Sequence, residues 1–153
     1  MTFTEMLKCL RGCDGVFVQG KLRRCGDLNL YVCFGYRENH VCFGTEPYGN
    51  ANLTNPSIDE LLSDQWEIES PGIEFIDRSR YSAILESHDA NRPELFDYKG
   101  KYIHIDLLHG IFIAMDNSDG EGFVEVFHQL ADAIWYLTGD KPEPVEEEEE
   151  PND

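Results

Sequence analysis

Apolar positions in this chain follow two spacings, the 3.6-residue step of a helix and the two-residue step of a strand. Phe3, Met6, Leu7 and Leu10 fall at helical spacing behind a capping threonine at position 2 or 4. Gly12 follows as a stop signal, so a short amphipathic helix is expected over Thr2 to Leu10. Aromatic and β-branched residues then gather at Val16 to Val18, Leu28 to Tyr36 and Val41 to Thr45, between breaks that contain glycine. That composition predicts strands. Residues Tyr36 to His40 read as a hairpin loop, which makes the last two strands antiparallel neighbours. Glu46 to Pro56 holds two prolines, one glycine and three asparagines, an irregular loop.

Ser57 followed three residues later by Glu60 is a capping box, and Ile58, Leu61 and Leu62 are expected to form the buried face of a short helix. Trp66 to Glu69 alternates apolar and acidic side chains as a terminal or edge strand does, and Pro71-Gly72 closes this block. A further helix is expected from about Asp77 to Ser87, with Tyr81, Ile84 and Leu85 on one side. Tyr102 to Leu107 and the nearly all-apolar Ile111 to Met115 read as strands joined through His109-Gly110. Asp116 to Gly120 has the composition of a turn. Phe123 to Leu137 is expected to be the longest helix, its apolar stripe built from Phe123, Val124, Phe127, Leu130, Ala131, Ile134 and Leu137 and ended by Gly139. The run from Lys141 to Asp153, with three prolines and five consecutive glutamates, has nothing to bury and is expected to be disordered. The fold class that follows is α+β: a small antiparallel sheet with three to four helices packed on it. One compact domain is expected over 1–140, with a tail over 141–153.

Charge changes this picture from fold toward function. Residues 1 to 40 carry six Lys/Arg against four Asp/Glu, residues 41 to 140 carry five against nineteen, and the tail one against seven, which sums to a formal charge of −18. A body with that field repels a nucleic-acid backbone and attracts basic protein surfaces. Direct nucleic-acid binding is therefore not expected. No apolar run approaches the ~20 residues needed to span a bilayer, and Glu5 and Lys8 interrupt the segment where a signal peptide would be apolar. A cytoplasmic location without membrane association is expected.

The candidate chemistry is sparse. Cys9, Cys13, Cys25, Cys33 and Cys42 are odd in number and lack paired C-x-x-C spacing, which favours isolated buried thiols over a disulfide framework or a four-thiolate zinc site. Asp116 to Gly120 fails as a calcium loop, because the sixth residue is Glu121 and the twelfth Phe127. Glu121, Glu125 and Asp132 fall near one side of the expected last helix, and Leu130 to Leu137 resembles the last metal-binding helix of magnesium-dependent nucleotide pyrophosphatases of the MazG type. Gln129 stands where that family needs a further acid, and one helix of carboxylates does not make a site for a hard cation. His40, His88, His104, His109 and His128 are scattered, and no serine or cysteine sits in a nucleophile setting. These observations favour a protein that binds without turnover, with no cofactor and no metal. Lys21, Arg23 and Arg24 offer a small basic segment, read either as an anion grip or as a solvated edge that discourages strand pairing.

Met1-Thr2-Phe3-Thr4-Glu5-Met6-Leu7-Lys8-Cys9-Leu10, a strand containing Leu30-Tyr31-Val32, and Ser57-Ile58-Asp59-Glu60-Leu61-Leu62-Ser63-Asp64-Gln65-Trp66-Glu67-Ile68 together resemble a small phage domain, the Thoeris anti-defence family of nucleotide sponges. That family runs from a helix of the type F-x-E-A-L-x-x-L-x-x-G through strands to a closing D-L-L-A-x-D-W-E-I segment. The likeness covers residues 1–69, within a family-like part at 1–72 that is followed by an extension at 73–140. It implies oligomers that trap a small cyclic nucleotide signal without cleaving it, with Trp66 at the position of the closing tryptophan. A sponge needs aromatic faces for a base and cationic donors for phosphates. Tyr31, Tyr36 and Trp66, with Phe34, Phe43 and Tyr48, supply the first here, and Lys21, Arg23 and Arg24 the second. The competing expectation rests on charge: an acidic nucleic-acid mimic that occupies a basic surface on a host nuclease or a restriction or CRISPR effector, its carboxylates standing in for phosphates.

Overall fold

The computed structural model describes residues 1–23, 29–34, 41–45, 55–89, 99–120 and 122–139. It is an α+β structure with four helices and two four-stranded sheets among those residues. Helix α1 (Phe3–Leu10) starts at the expected place because Thr2 and Glu5 form a full capping box: the Thr2 Oγ1 accepts from the Glu5 N–H at 3.2 Å, and the Glu5 carboxylate accepts from the Thr2 N–H at 2.8 Å. The first sheet has the order β3-β2-β1-β4, all antiparallel, from β1 (Gln19–Arg23), β2 (Asn29–Phe34), β3 (Val41–Gly44) and β4 (Glu67–Glu69). Residues 16–18, expected to be strand, form a bend at Val16 and Phe17 and no regular element at Val18. The chain extends only from Gln19, where β1 gains neighbours on both sides. The hairpin loop expected at Tyr36 to His40 lies outside the described residues, as does the tail from Lys141.

Helix α2 (Ile58–Leu62) carries the predicted Ser57–Glu60 box, yet its expected buried face is not buried. Ile58 and Leu62 are 76% and 77% exposed, and only Leu61 turns partly inward. A five-residue helix makes little more than one turn, so a single residue near its middle is enough to dock it. The anchor comes from beyond its end, where the buried Trp66 donates its indole N–H to the Glu60 carbonyl at 2.9 Å.

The second sheet has the order β5-β6-β7-β8, from β5 (Glu74–Ile76), β6 (Lys101–Asp106), β7 (Ile111–Asp116) and β8 (Phe123–Phe127). Strands β5 and β6 are parallel, and the long crossover that a parallel pair requires contains α3 (Arg78–Asp89). The other pairs are antiparallel. Strand β5 has no counterpart in the sequence expectations, and the longest expected helix is divided: Phe123 to Phe127 is β8, and only Leu130–Thr138 is helical, as α4. Phe-Val-Glu-Val-Phe is rich in residues that suit a pleated surface. Its apolar residues at 123 and 127 also match helical spacing by coincidence, and His128-Gln129 is the break between the two elements.

Alternation along the sheets decides what each face meets. Gly20, Leu22, Val32, Phe43 and Ile68 share the face of the first sheet that joins the core with Met6 and Leu10 of α1. Ile103, Phe112 and Ala114 of the second sheet enter the same core beside Leu130, Ala131, Ala133, Ile134 and Leu137 of α4. The reverse face of the second sheet presents Ile76, Tyr102 and Met115 to Ile84 of α3, with Tyr81 and Leu85 packed around them as their spacing predicts. No described helix is long and apolar enough to cross a membrane.

Candidate functional site

The residues singled out for a nucleotide site do not converge in the described structure. Trp66 is 1% exposed, its ring tilted at 54° against Phe3 with centroids 5.2 Å apart, so neither face is open for a base. Lys21 points from the middle of β1 and forms an ion pair with Glu69 at 2.9 Å, while the Gln19 amide donates to the other Glu69 oxygen. Since β1 is paired on both sides as far as Lys21, that residue is not on the basic outer edge that its spacing suggested, whereas Arg23 pairs with β2 alone. Arg23 is exposed. Phe43 is half-buried and stacks on Phe3 as part of the core. Arg24, Tyr36 and Tyr48, and the side chains of Tyr31 and Phe34, lie outside the described residues.

Lys21 and Trp66 instead border a cleft of about 640 Å³ between β4 and β5, the end strands of the two sheets. The two strands meet at the turn closed by the Ser70–Ile73 bridge, and the cleft floor is apolar, with Ile68, Ile73, Phe75 and Ile103. Its lining carries both signs of charge, Lys21 and Arg78 beside Glu67, Glu69, Glu74 and Asp77. Glu69 holds Lys21, Glu74 holds Arg80 at 3.0 Å, and the Asp77 carboxylate accepts from the Arg80 N–H at the start of α3.

A second surface, at the opposite end strand of the second sheet, is unlike it. Phe127 of β8 and Tyr136 of α4 hold their rings 5.5 Å apart at 48°, and with Trp135, Asp132 and Gly139 they line a concavity of about 500 Å³. The C-cap Gly139, at φ 74°, donates to the Trp135 carbonyl at 2.8 Å and ends the helix beside that hollow. Phe123, on this face, is 54% exposed, and Val126, on the opposite face of the strand, is 53% exposed. Phe123, Glu125 and Phe127 alternate onto the same face as Asp116 of β7. The phenol of Tyr136 is raised above its ordinary value, first by burial and then by the negative charges of Glu125 and Asp116. Lys101 is the near cation, and its ammonium is engaged by the Leu137 carbonyl at 2.5 Å.

This surface escaped the sequence reading because Glu125 and Asp132 were placed along one helix. They lie on two elements, β8 and α4. Among the described residues, no group of three or more His, Cys, Asp or Glu side chains is arranged to hold a metal ion. His104 is a structural histidine: its Nδ1 lies 3.0 Å from the Ile76 carbonyl, which accepts the proton, and its ring stacks on Tyr81 at 13°. Of the cysteines, Cys9 and Cys13 are buried as expected, and burial pushes their thiols up to about 11 and about 12. Cys42 departs from that expectation and lies exposed on β3. No family model, curated protein or solved structure matches the chain, so the likeness of residues 1–69 to nucleotide-sponge domains rests on the motif residues alone.

Proposed function

We propose that this protein acts without turnover by occupying a basic surface on a protein partner, the kind of surface with which a host nuclease or restriction enzyme holds nucleic acid. The observation that carries this reading is the acidic and aromatic face shared by β8 and α4. Asp132 lines the hollow with the Phe127, Trp135 and Tyr136 rings, and Glu125 stands on the same face of β8 as Phe127, while Asp116 lies opposite Phe123 with Lys101 as its partner on the other side. Carboxylates beside aromatic rings suit arginine and lysine: the charge attracts the cation, and the ring face takes the flat guanidinium or the methylene stem. The formal charge of −18 adds long-range attraction of the same sign, which speeds encounter and weakens as salt is raised.

Small-nucleotide capture draws less support from the described geometry, because Trp66 is enclosed and Lys21 is held by Glu69. The two readings separate in one experiment. Purified protein is titrated by calorimetry against basic nucleases and, in parallel, against a panel of cyclic nucleotides at low and high salt. Nuclease binding that inhibits cleavage and fades with salt is expected. A cyclic nucleotide held at high salt and recovered intact after heating, with no nuclease bound, would overturn the proposal in favour of sequestration.

A further inference from the structure

We infer that β8 is a docking edge, completed by an extended segment of the partner that carries a lysine or arginine opposite Glu125 and apolar residues opposite Phe123 and Phe127. The inference rests on the reading of the protein as a binder of basic partners and gives that reading a place and a mode.

Strand β8 is the end strand of its sheet: it pairs with β7 on one side, and no further described strand lies on the other. Such an edge presents a row of backbone donors and acceptors that a second chain can complete. Natural edges are commonly blunted by proline, lysine or a bulge. Phe-Val-Glu-Val-Phe has no proline, lysine or bulge, and its five residues pair with β7 in continuous register from Phe123–Asp116 to Phe127–Phe112; its protection is the central charge of Glu125, which opposes an acidic neighbour and not a basic one. The large exposed fractions of Phe123 and Val126 add apolar area along the same strand.

Glu125 identifies the occupant. It is the middle residue of β8 and is exposed. If two copies paired antiparallel about the centres of their β8 strands, Glu125 would stand opposite Glu125, and like charges directly opposite destabilise a strand pair. A basic residue at that position turns the same contact favourable. Apolar residues two positions to either side of the basic one then lie against Phe123 and Phe127. The required segment therefore alternates, with apolar, basic and apolar side chains on one face.

The probe is a short synthetic peptide that alternates valine and threonine about a central arginine, compared with the same peptide bearing a central glutamate. Binding to the full chain is followed by calorimetry, and the amides of β8 by hydrogen exchange. The arginine peptide is expected to bind about tenfold more tightly than the glutamate peptide, Glu125→Lys to reverse that preference, and Glu125→Gln to abolish it. Backbone protection within Phe123–Phe127 should rise on binding, which charge attraction alone does not produce. Failure of the arginine peptide to bind overturns the inference, as does binding that neither Glu125 variant alters and that leaves β8 exchange unchanged. Self-association through β8, seen as protection that depends on protein concentration without peptide, overturns it in favour of a second copy. Capture of basic nucleases that survives in Glu125→Lys removes the docking edge while leaving the broader reading intact. Loss of nuclease binding in the unaltered chain removes that reading itself.

Discussion

A Cβ added to Gly20 would stand 2.0 Å from the Met6 sulfur, so the approach of α1 to β1 depends on a missing side chain. Both residues are buried, Met6 completely, at the point where the first helix meets the first sheet. Gly20→Ala therefore forces the thioether into a new rotamer within a closed core. The expected loss is about 1–3 kcal/mol, the usual range for overpacking, read as a lower urea midpoint. Met6→Val in the same chain should recover part of it. Equal losses in the presence and absence of the Met6 change would show that the contact is not the cause.

Trp66 ties α2 to the core by its ring and by its indole N–H, and the two contributions can be separated. Trp66→Phe keeps an aromatic ring beside Phe3 and removes one of the donors to the Glu60 carbonyl, which the Ser63 N–H still reaches at 3.3 Å, at an expected cost of about 0.5–1.5 kcal/mol. Trp66→Ala adds a cavity and should cost about 3–5 kcal/mol. Denaturant unfolding followed by circular dichroism measures both. Similar values for the two variants would mean that the ring fills its space poorly.

The helix starts were legible because capping is local chemistry: Thr2 with Glu5, and Ser57 with Glu60, specify both positions within four residues. Long-range pairing was not. Nothing near Lys21 indicates that β4 will close over it from more than forty positions away, turning a supposed basic edge into an interior strand with a partner at Glu69. Strand β5 is three residues long and takes its identity from its parallel pairing with β6, beyond the reach of a periodicity window. At β8 two periods coincided, and the helical one was followed because α4 continued it. The same misreading hid the acidic and aromatic face, since its members belong to one surface only once strand and helix are folded against each other.

Buried thiols make the protein sensitive to alkali. Cys9 and Cys13 are held neutral by burial, their folded values near 11 and 12 lying above the ordinary 9.0. The folded state thus keeps these protons when the unfolded chain releases them. Their contribution to stability is fully present below pH 9 and is lost progressively as pH rises from 9 toward 12, at about 1.4 kcal/mol per unit of displacement. Cys9→Ala with Cys13→Ala should flatten that decline. At pH 8, peptide mapping after alkylation should find Cys42 modified and both buried cysteines spared until denaturant is added.

Asp106 and His109 close the exposed tip between β6 and β7, with the His109 Nδ1 2.8 Å from the carboxylate and the His109 N–H donating to it at 3.1 Å. Hydrogen bonding from the His109 side chain is the largest cause that holds the Asp106 carboxyl below its ordinary 3.8. A lowered carboxyl contributes stability above its unfolded value and loses it as pH falls through the folded one. A carboxyl titration by NMR should therefore find Asp106 below the usual aspartate midpoint, and His109→Ala should return it most of the way. An unchanged midpoint in the variant would place the cause elsewhere on the hairpin.

Tyr136 reports directly on the field of the proposed binding face. Its phenol is raised first by burial, then by Glu125, then by Asp116, so removing one carboxylate should lower the titration midpoint without restoring the free-tyrosine value. Glu125→Gln is the clean test, since the side chain is exposed and the amide keeps its shape. Ultraviolet titration of the phenol should show a downward shift that shrinks with added salt, because the interaction is coulombic and close to solvent. Asp116→Asn should act in the same direction by a smaller amount. If neither substitution moves Tyr136, the two carboxylates do not act together on this face, and the electrostatic argument for a basic partner at β8 loses its foundation.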